Sequence, residues 1–370
     1  MIDKKWFTII NTDVIDTPAL VVYTERVQKN INTLTGMIDN LARLRPHIKT
    51  IKSAEPVKLM MAAGISKFKC ATIAEAEMLA IAQAPDVLLA YQPTGPKLIR
   101  FLKLIEKYSS TKFSCLIDNE NTARLISEAA NQTGIAIKVY IDLNVGMNRT
   151  GILPEKALSL YKASTQLNGI AIIGLHAYDG HIHDSSLITR TAQLGEYFDS
   201  VINLQQEIVR QGFPEPIIIA GGSPTFPILA AKPNIECSPG TFIYWDKGYQ
   251  EAFAEQNFEP AALVLTRVIS LPDSTKICLD LGHKSIASEK ELNKRVCFFN
   301  AENLIPVSQS EEHLVLEAGE NHQFKVGDIL YGLPFHICPT VALYERAITI
   351  HNHEIAGEWK TIARDRKITI

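Results

Sequence analysis

Nothing in these 370 residues approaches the roughly 20 consecutive apolar side chains that a membrane-spanning helix requires. The opening Met1-Ile2-Asp3-Lys4-Lys5-Trp6 also lacks the apolar core of a secretory signal. The six cysteines are scattered, without a Cys-x-x-Cys pair, which argues against a zinc ribbon or a disulfide scaffold. Charge of one sign is missing too. With 37 basic and 40 acidic residues the net charge is −3, giving no reason to expect nucleic acid or an anionic membrane as partner. A small anion must therefore be held by local geometry. Repeats, low-complexity tracts and long linkers are lacking as well. What remains is an ordinary globular composition, 46% hydrophobic and 21% charged, of the kind expected in the cytoplasm.

The length exceeds what one hydrophobic core normally supports, so two domains are expected. Strand-like runs recur at 45–50, 67–72, 86–91, 113–118, 137–143, 170–178, 216–222 and 235–240, with helix-like stretches such as 75–82 and 200–209 between them. Strands alternating with helices predict βαβ units and a parallel sheet. Eight units favour an α/β fold of the closed (β/α)8 TIM-barrel type, with an open doubly wound sheet as the alternative. The segment 17–23 is read as leading into that barrel. After about residue 250 strand-like runs continue without long helices, which predicts a C-terminal β-rich domain. The expected boundaries are 15–250 for the barrel and 251–370 for the second domain, with 1–14 a candidate to join the latter.

Five segments carry residues suited to chemistry. Lys49 closes the strand-like run Arg45-Pro46-His47-Ile48-Lys49-Thr50, and barrel active sites form at the C-terminal ends of strands. A lysine there can hold an aldehyde cofactor as a Schiff base; a solvated surface lysine is the plainer reading, and Lys52 competes on spacing. An apolar strand runs into Gly221-Gly222-Ser223-Pro224-Thr225, where backbone N–H groups and hydroxyls can cradle a phosphate without a basic side chain. Gly240 and Thr241 end the next strand and can add donors. Asp142 to Gly151 ends another strand and contributes Arg149, a cofactor contact or a surface ion-pair partner. His176-Ala177-Tyr178-Asp179-Gly180-His181-Ile182-His183 crowds three histidines and a tyrosine, and spacing does not decide which of them acts. Finally, His336 and Cys338, read on one face of an extended segment, form a weak metal signal that suits an open catalytic site better than a closed structural one.

Five motifs in matching chain order, Arg45 to Thr50, Gly146 to Gly151, Gly221 to Thr225, Glu236 to Tyr244 and His336-x-Cys338, resemble the D-serine dehydratase/D-threonine aldolase family, whose alanine racemase-like, fold type III members carry pyridoxal 5'-phosphate on a barrel with an appended β domain. The resemblance spans nearly the whole chain. It implies that Lys49 bears the cofactor and that Arg149 contacts its ring oxygen. It also implies that Gly221, Gly222, Ser223, Thr225, Gly240 and Thr241 serve the phosphate, and that His336 and Cys338 bind a divalent metal, zinc first and manganese second. Tyr178, as a cofactor contact, and His181 are the loosely matched candidates for proton transfer. One departure stands out: the family's Lys-Thr-His-Lys reads Lys49-Thr50-Ile51-Lys52 here. The implied activity is metal-assisted lysis of a D-3-hydroxy amino acid. Dehydration of the D-serine or D-threonine type is favoured over retro-aldol cleavage to glycine and an aldehyde. Amino-acid racemization and a non-catalytic cofactor carrier are the remaining alternatives. A homodimer is the implied assembly.

Overall fold

The computed structural model describes residues 5–370 and divides into two compact units. One comprises residues 34–49, 57–240 and 365–370; the other comprises 50–56, 241–364 and the described residues up to Thr33. The chain begins with β1 (Ala19–Tyr23), α1 (Thr24–Gly36) and α2 (Ala54–Ala62). It then alternates β2 (Lys67–Cys70), α3 (Ile73–Ile81), β3 (Asp86–Leu89), α4 (Pro96–Lys107), β4 (Lys112–Ile117) and α5 (Glu120–Thr133). The alternation continues through β5 (Ile137–Leu143), α6 (Pro154–Thr165), β6 (Ile170–Ala177), α7 (Leu187–Arg210), β7 (Ile217–Ala220), α8 (Phe226–Ala230) and β8 (Ile235–Cys237). Helix starts follow local chemistry. Thr72 accepts from the Glu75 N–H at 3.1 Å while the Glu75 carboxylate accepts from Ala71 N, a reciprocal cap at the head of α3. Asn119 and Ser186 cap α5 and α7 by accepting from the N–H groups of Thr122 and Thr189.

Strands β2 to β8 form one seven-stranded parallel sheet in sequential order. Its two edges are joined by the segment 44–47, which bridges Leu44 to Cys237 of β8 and His47 to Lys69 of β2. Arg45 N donates to Cys237 O at 2.9 Å, and Lys69 N to Pro46 O at 2.9 Å, so the barrel is closed by an eighth, degenerate member. The expected strand over 45–50 does not form. Pro46 has no N–H to give a ladder, and Ile48–Thr50 turn into a 3-10 helix instead. Lys49 therefore sits on a helical turn beyond the strand position.

Register places one side chain parity of every strand inside the barrel. At the N-terminal end Arg45, only 1% exposed, donates to Glu236 at 2.7 Å and to Asp86 at 2.5 Å, and Lys67 adds a second cation on Glu236. The middle is apolar: Leu88, Leu116, Tyr140 and Ile219 pack as one buried cluster. Toward the C-terminal end the same parity presents Lys69, Asp142 and His176, because Lys69 pairs with Leu88 and Asp142 with His176.

The other unit adds α9 (Lys247–Ala252), β9 (Ala262–Ser270), β10 (Lys276–Leu279), β11 (Val296–Phe298), β12 (Ile305–Gln309), β13 (Leu314–Glu317), β14 (Ile329–Pro334), α10 (Ile337–Val341), β15 (Arg346–His351) and β16 (Glu354–Lys360). Its nine-stranded sheet runs β12-β13-β10-β9-β1-β15-β16, with β14 on β9 and β11 on β14. Strand β1, read as leading into the barrel, belongs here: Leu20 pairs with Val264 and Val21 with Ile348. All five of its residues are buried, as an uninterrupted Ala-Leu-Val-Val-Tyr run requires of a central strand. The contact-defined units thus divide the chain inside the expected 15–250 barrel, because the described residues up to Thr33, Thr50–Pro56 and Thr241–Arg364 group with this sheet unit.

Candidate functional site

The ring of Tyr178, at the end of β6, is the meeting point of the barrel's C-terminal mouth. Lys49 Nζ lies 5.8 Å from its centroid, Lys69 Nζ 5.5 Å and the Arg149 guanidinium carbon 5.1 Å. Three cationic side chains thus surround one aromatic ring. Lys49 and Arg149 are exposed, whereas Lys69 is 2% exposed. Arg149 is carried by the loop after β5, which Asn144 shapes by accepting from the N–H groups of Gly146 and Asn148 at 3.2 and 3.1 Å. Gly151, at φ +98°, closes that loop where a side chain would lie 2.5 Å from Asn144 N.

Beneath the ring runs a buried polar chain. Lys69 Nζ stands 3.4 Å from His176 Nε2, and His176 Nδ1 stands 2.7 Å from Asp142 Oδ1. Burial would raise the Asp142 carboxyl, but hydrogen bonds from His176 and Thr150 and the charge of Lys69 hold it below the usual range. An ionised Asp142 accepts from Nδ1–H, which leaves Nε2 as the acceptor for Lys69. Burial, then the charge of Lys69, lowers His176, so its imidazole is neutral near pH 7. Lys69 is itself pushed down to about 7, by burial first and by the charge of Lys49 second, with Asp179 and Asp142 opposing. The expected site residues did not include Lys69, and His176 and Asp142 entered only as members of longer runs.

The glycine turn after β7 adjoins the same ring: a Cβ on Gly222 would lie 3.2 Å from Tyr178. Gly221 adopts φ +76°, and a Cβ there would meet Leu229 at 2.3 Å and Thr225 Oγ1 at 2.8 Å. Only glycine keeps this backbone open. Gly222 N donates to Thr225 Oγ1 at 3.3 Å, and Gly240 N to Ser223 Oγ at 3.1 Å, tying the turns after β7 and β8 together. Asp179 supports them from below, accepting from Thr225 and, at 2.8 Å, from the Tyr197 hydroxyl; burial raises its carboxyl. The Ser238 hydroxyl, on the loop after β8, is buried without a hydrogen-bond partner. A buried hydroxyl of this kind beside a glycine cradle fits a phosphate group that would accept from it. His181 packs on Gly146, where a Cβ would fall 2.7 Å from its Nε2, and lies exposed at the edge of the loop.

His336 and Cys338 lie in the other unit. The extended segment expected for both ends at Pro334; His336 is the N-cap of α10 and Cys338 falls in its first turn, where Pro339 is tolerated. Their side chains still hydrogen-bond. Burial opposes the imidazolium, but Cys338, Glu289 and Asp246 raise His336 to about 9. Glu289 bonds His336 Nδ1, and the buried Asp246 accepts from Ile337 N at 3.0 Å, which anchors the helix start. The Cys338 sulfur is flanked by the hydroxyls of Thr50 at 3.1 Å and Thr241 at 3.7 Å. In the chain these two threonines directly follow Lys49 and Gly240. Thr241, expected among the phosphate donors, thus stands beside Cys338. Among the described residues no cluster of three or more His, Cys, Asp or Glu is placed to hold a metal ion. Thiolate and imidazole are nonetheless a donor set suited to zinc, with positions left open.

A sequence profile described as "Alanine racemase, N-terminal domain" matches residues 22–247, and one described as "Putative serine dehydratase domain" matches residues 261–350. The D-threonine aldolase of an Arthrobacter species is 25% identical over 95% of this chain and 93% of its own. The D-threo-3-hydroxyaspartate dehydratase of Delftia sp. (strain HT23) is 24% identical over 89% and 93%. The crystal structure of D-threonine aldolase from Filomicrobium marinum superposes with a TM-score of 0.86 at 25% identity, covering 96% of this chain and 98% of that one. A barrel mouth with a lysine, a glycine cradle and an orphaned buried hydroxyl, followed by the serine dehydratase-type domain, leads to one assignment. The chain belongs to the D-serine dehydratase/D-threonine aldolase family of pyridoxal-phosphate-dependent lyases, within the alanine racemase fold.

Proposed function

We propose that this protein removes the β-hydroxyl of a D-3-hydroxy amino acid, a dehydration of the D-serine or D-threonine type that releases a keto acid and ammonia. The observation that carries the reading is Lys49 beside Tyr178 and Arg149, one glycine turn away from the unpartnered Ser238 hydroxyl. Lys49 would bind pyridoxal 5'-phosphate through its amine. Gly221, Gly222, Ser223, Thr225, Gly240 and Thr241, with Ser238, would bind the phosphate, while Arg149 and Tyr178 would orient the ring. When bound, the cofactor supplies an electron sink for charge developing at Cα. Released by the substrate amine, Lys49 takes the Cα proton, with Tyr178 and His181 as the further proton-transfer candidates.

His336 and Cys338 would hold a divalent metal, zinc before manganese, whose Lewis acidity favours departure of a β-hydroxyl. Glu289 keeps the imidazole oriented through Nδ1. Retro-aldol cleavage is the second reading, favoured by two relatives whose names are aldolases, the Arthrobacter protein and the 3-hydroxy-D-aspartate aldolase of Paracoccus denitrificans. That reaction needs a base for the hydroxyl proton. The family's histidine two residues after the lysine is replaced here by Ile51, which is 1% exposed. The thiolate of Cys338 suits zinc, a redox-inert Lewis acid matched to hydroxide departure, and dehydration is favoured on that ground. The substrate is a small D-amino acid and the assembly a homodimer in this reading.

Purified protein supplied with pyridoxal phosphate and zinc or manganese should be incubated with D-serine, D-threonine and D-3-hydroxyaspartate. Keto acid as the main product is expected. Glycine with an aldehyde would transfer the assignment to the aldolase reading, and enantiomer alone, persisting after chelation, would make the protein a racemase.

A further inference from the structure

Lys69 has no part in the activity just described, yet it is the most deeply buried cation at the barrel mouth. We propose that Lys69, backed by His176 and Asp142, is a second acid–base amine of the Lys49 site, one that holds or releases a proton beside the bound cofactor. The inference rests on the proposed cofactor site and deepens it.

Three observations support it. First, inward parity on β2 points Lys69 at the barrel axis, and its amine reaches the ring of Tyr178 at 5.5 Å, a span like that of Lys49 at 5.8 Å. Second, burial at this depth is costly for an ammonium unless partners are supplied. The partner supplied is a neutral imidazole at 3.4 Å, itself fixed by a carboxylate at 2.7 Å. An imidazole acceptor serves either charge state of the amine, because NH₂ and NH₃⁺ both donate. A purely structural lysine would be better served by a direct carboxylate. Third, burial weighs most on the Lys69 ammonium, and charges of both signs face it. Lys49 from the helical turn and Arg45 from the closing segment oppose its charge, while Asp142 of β5 and Asp179 beyond β6 favour it. Arg149 stands 5.1 Å from the centroid of the shared ring and adds a further positive charge near His176. His176 of β6 is neutral. The proton on Lys69 is therefore lightly held, with an affinity near 7.

The test uses full-length wild type, Lys69→Met and Lys69→Arg, each loaded with pyridoxal phosphate. The absorption bands of the bound cofactor and the turnover of the best substrate are followed between about pH 6 and pH 10. Methionine fills a similar volume and leaves no buried charge, so the variant should fold. His176→Gln provides a second disruption of the chain that keeps Lys69. Removing an ammonium from beside the cofactor should ease its protonation. The band midpoint and the acidic limb of the pH profile should thus move upward by about one pH unit in Lys69→Met, and in the same direction by less in His176→Gln. Arginine, which does not release its proton, should keep a positive charge beside the cofactor across the range and move the band midpoint downward, opposite to Lys69→Met. Superimposable band profiles and pH–rate curves for wild type and Lys69→Met would overturn the inference. Failure of the wild type to acquire any borohydride-reducible cofactor band would instead defeat the cofactor site itself.

Discussion

The barrel mouth around Lys49 and the thiol–imidazole pair at α10 are built in opposite ways. At the mouth, nearly every group is positioned by backbone and by buried partners: Gly221 and Gly240 leave space, Thr225 and Ser223 tie the turns, and Asp142 fixes His176. Such a cradle loses little freedom when a phosphate arrives. At α10, His336 and Cys338 are only partly buried and have Glu289 and two threonine hydroxyls as neighbours. Two donors make an open site, which a metal completes only with substrate or water. A cavity elsewhere on the barrel unit takes no part in either. About 440 Å³ in volume, it is lined by Arg100, Lys103, Lys107 and Lys367 and offers no acid–base pair.

The comparison can be broken most severely at the anchor. Lys49→Ala should lose the coloured cofactor band and reduce turnover by about 10³-fold or more, measured by absorbance and keto-acid release. Cys338→Ala should sharpen it by the opposite pattern, an unchanged band with turnover down about 10²-fold and no recovery on adding zinc. Next in size is the scaffold beneath the mouth. Arg45→Met leaves Asp86 without its buried cation and should cost about 3–5 kcal/mol in urea unfolding, with no change in the band of the surviving folded protein. Glu289→Gln should weaken metal affinity or activity by about 10- to 100-fold while leaving cofactor binding intact, read by chelator competition.

The smallest effect is a stability slope. Lys69 releases its proton near 7 when folded and near 10.5 when unfolded, so between those values the unfolded chain binds one proton more. Its contribution to stability must rise with pH across that window. The stability of wild type relative to Lys69→Met should accordingly increase between about pH 7 and pH 10, by at least about 1 kcal/mol. A flat difference would show that Lys69 is not titrating there.

Much of the barrel was legible because strands buried on both faces read as apolar runs, as at Ile137–Leu143 and Ile217–Ala220. Strands β12 and β16 lack that signal: both are largely exposed, so little selects an apolar pattern in them. Pro46 marked the reason that the run 45–50 could not be a strand. Lys69 was overlooked because a lysine flanked by Phe68 and Cys70 reads as the outward side of an alternating strand. In a barrel both parities are buried, and counting from Leu88 and Asp142 would have shown which one faces the axis.

By itself the sequence determined the alternation of the barrel, the glycine turn at the end of β7 and the His-x-Cys pair, since each depends on contacts within a few residues. Only the tertiary structure decided that β1 joins the sheet of the other unit, that residues 44–47 close the barrel, and that Lys69, His176 and Asp142 form one buried chain. Those facts depend on register between strands tens to hundreds of residues apart, and register is set by packing that no local window contains.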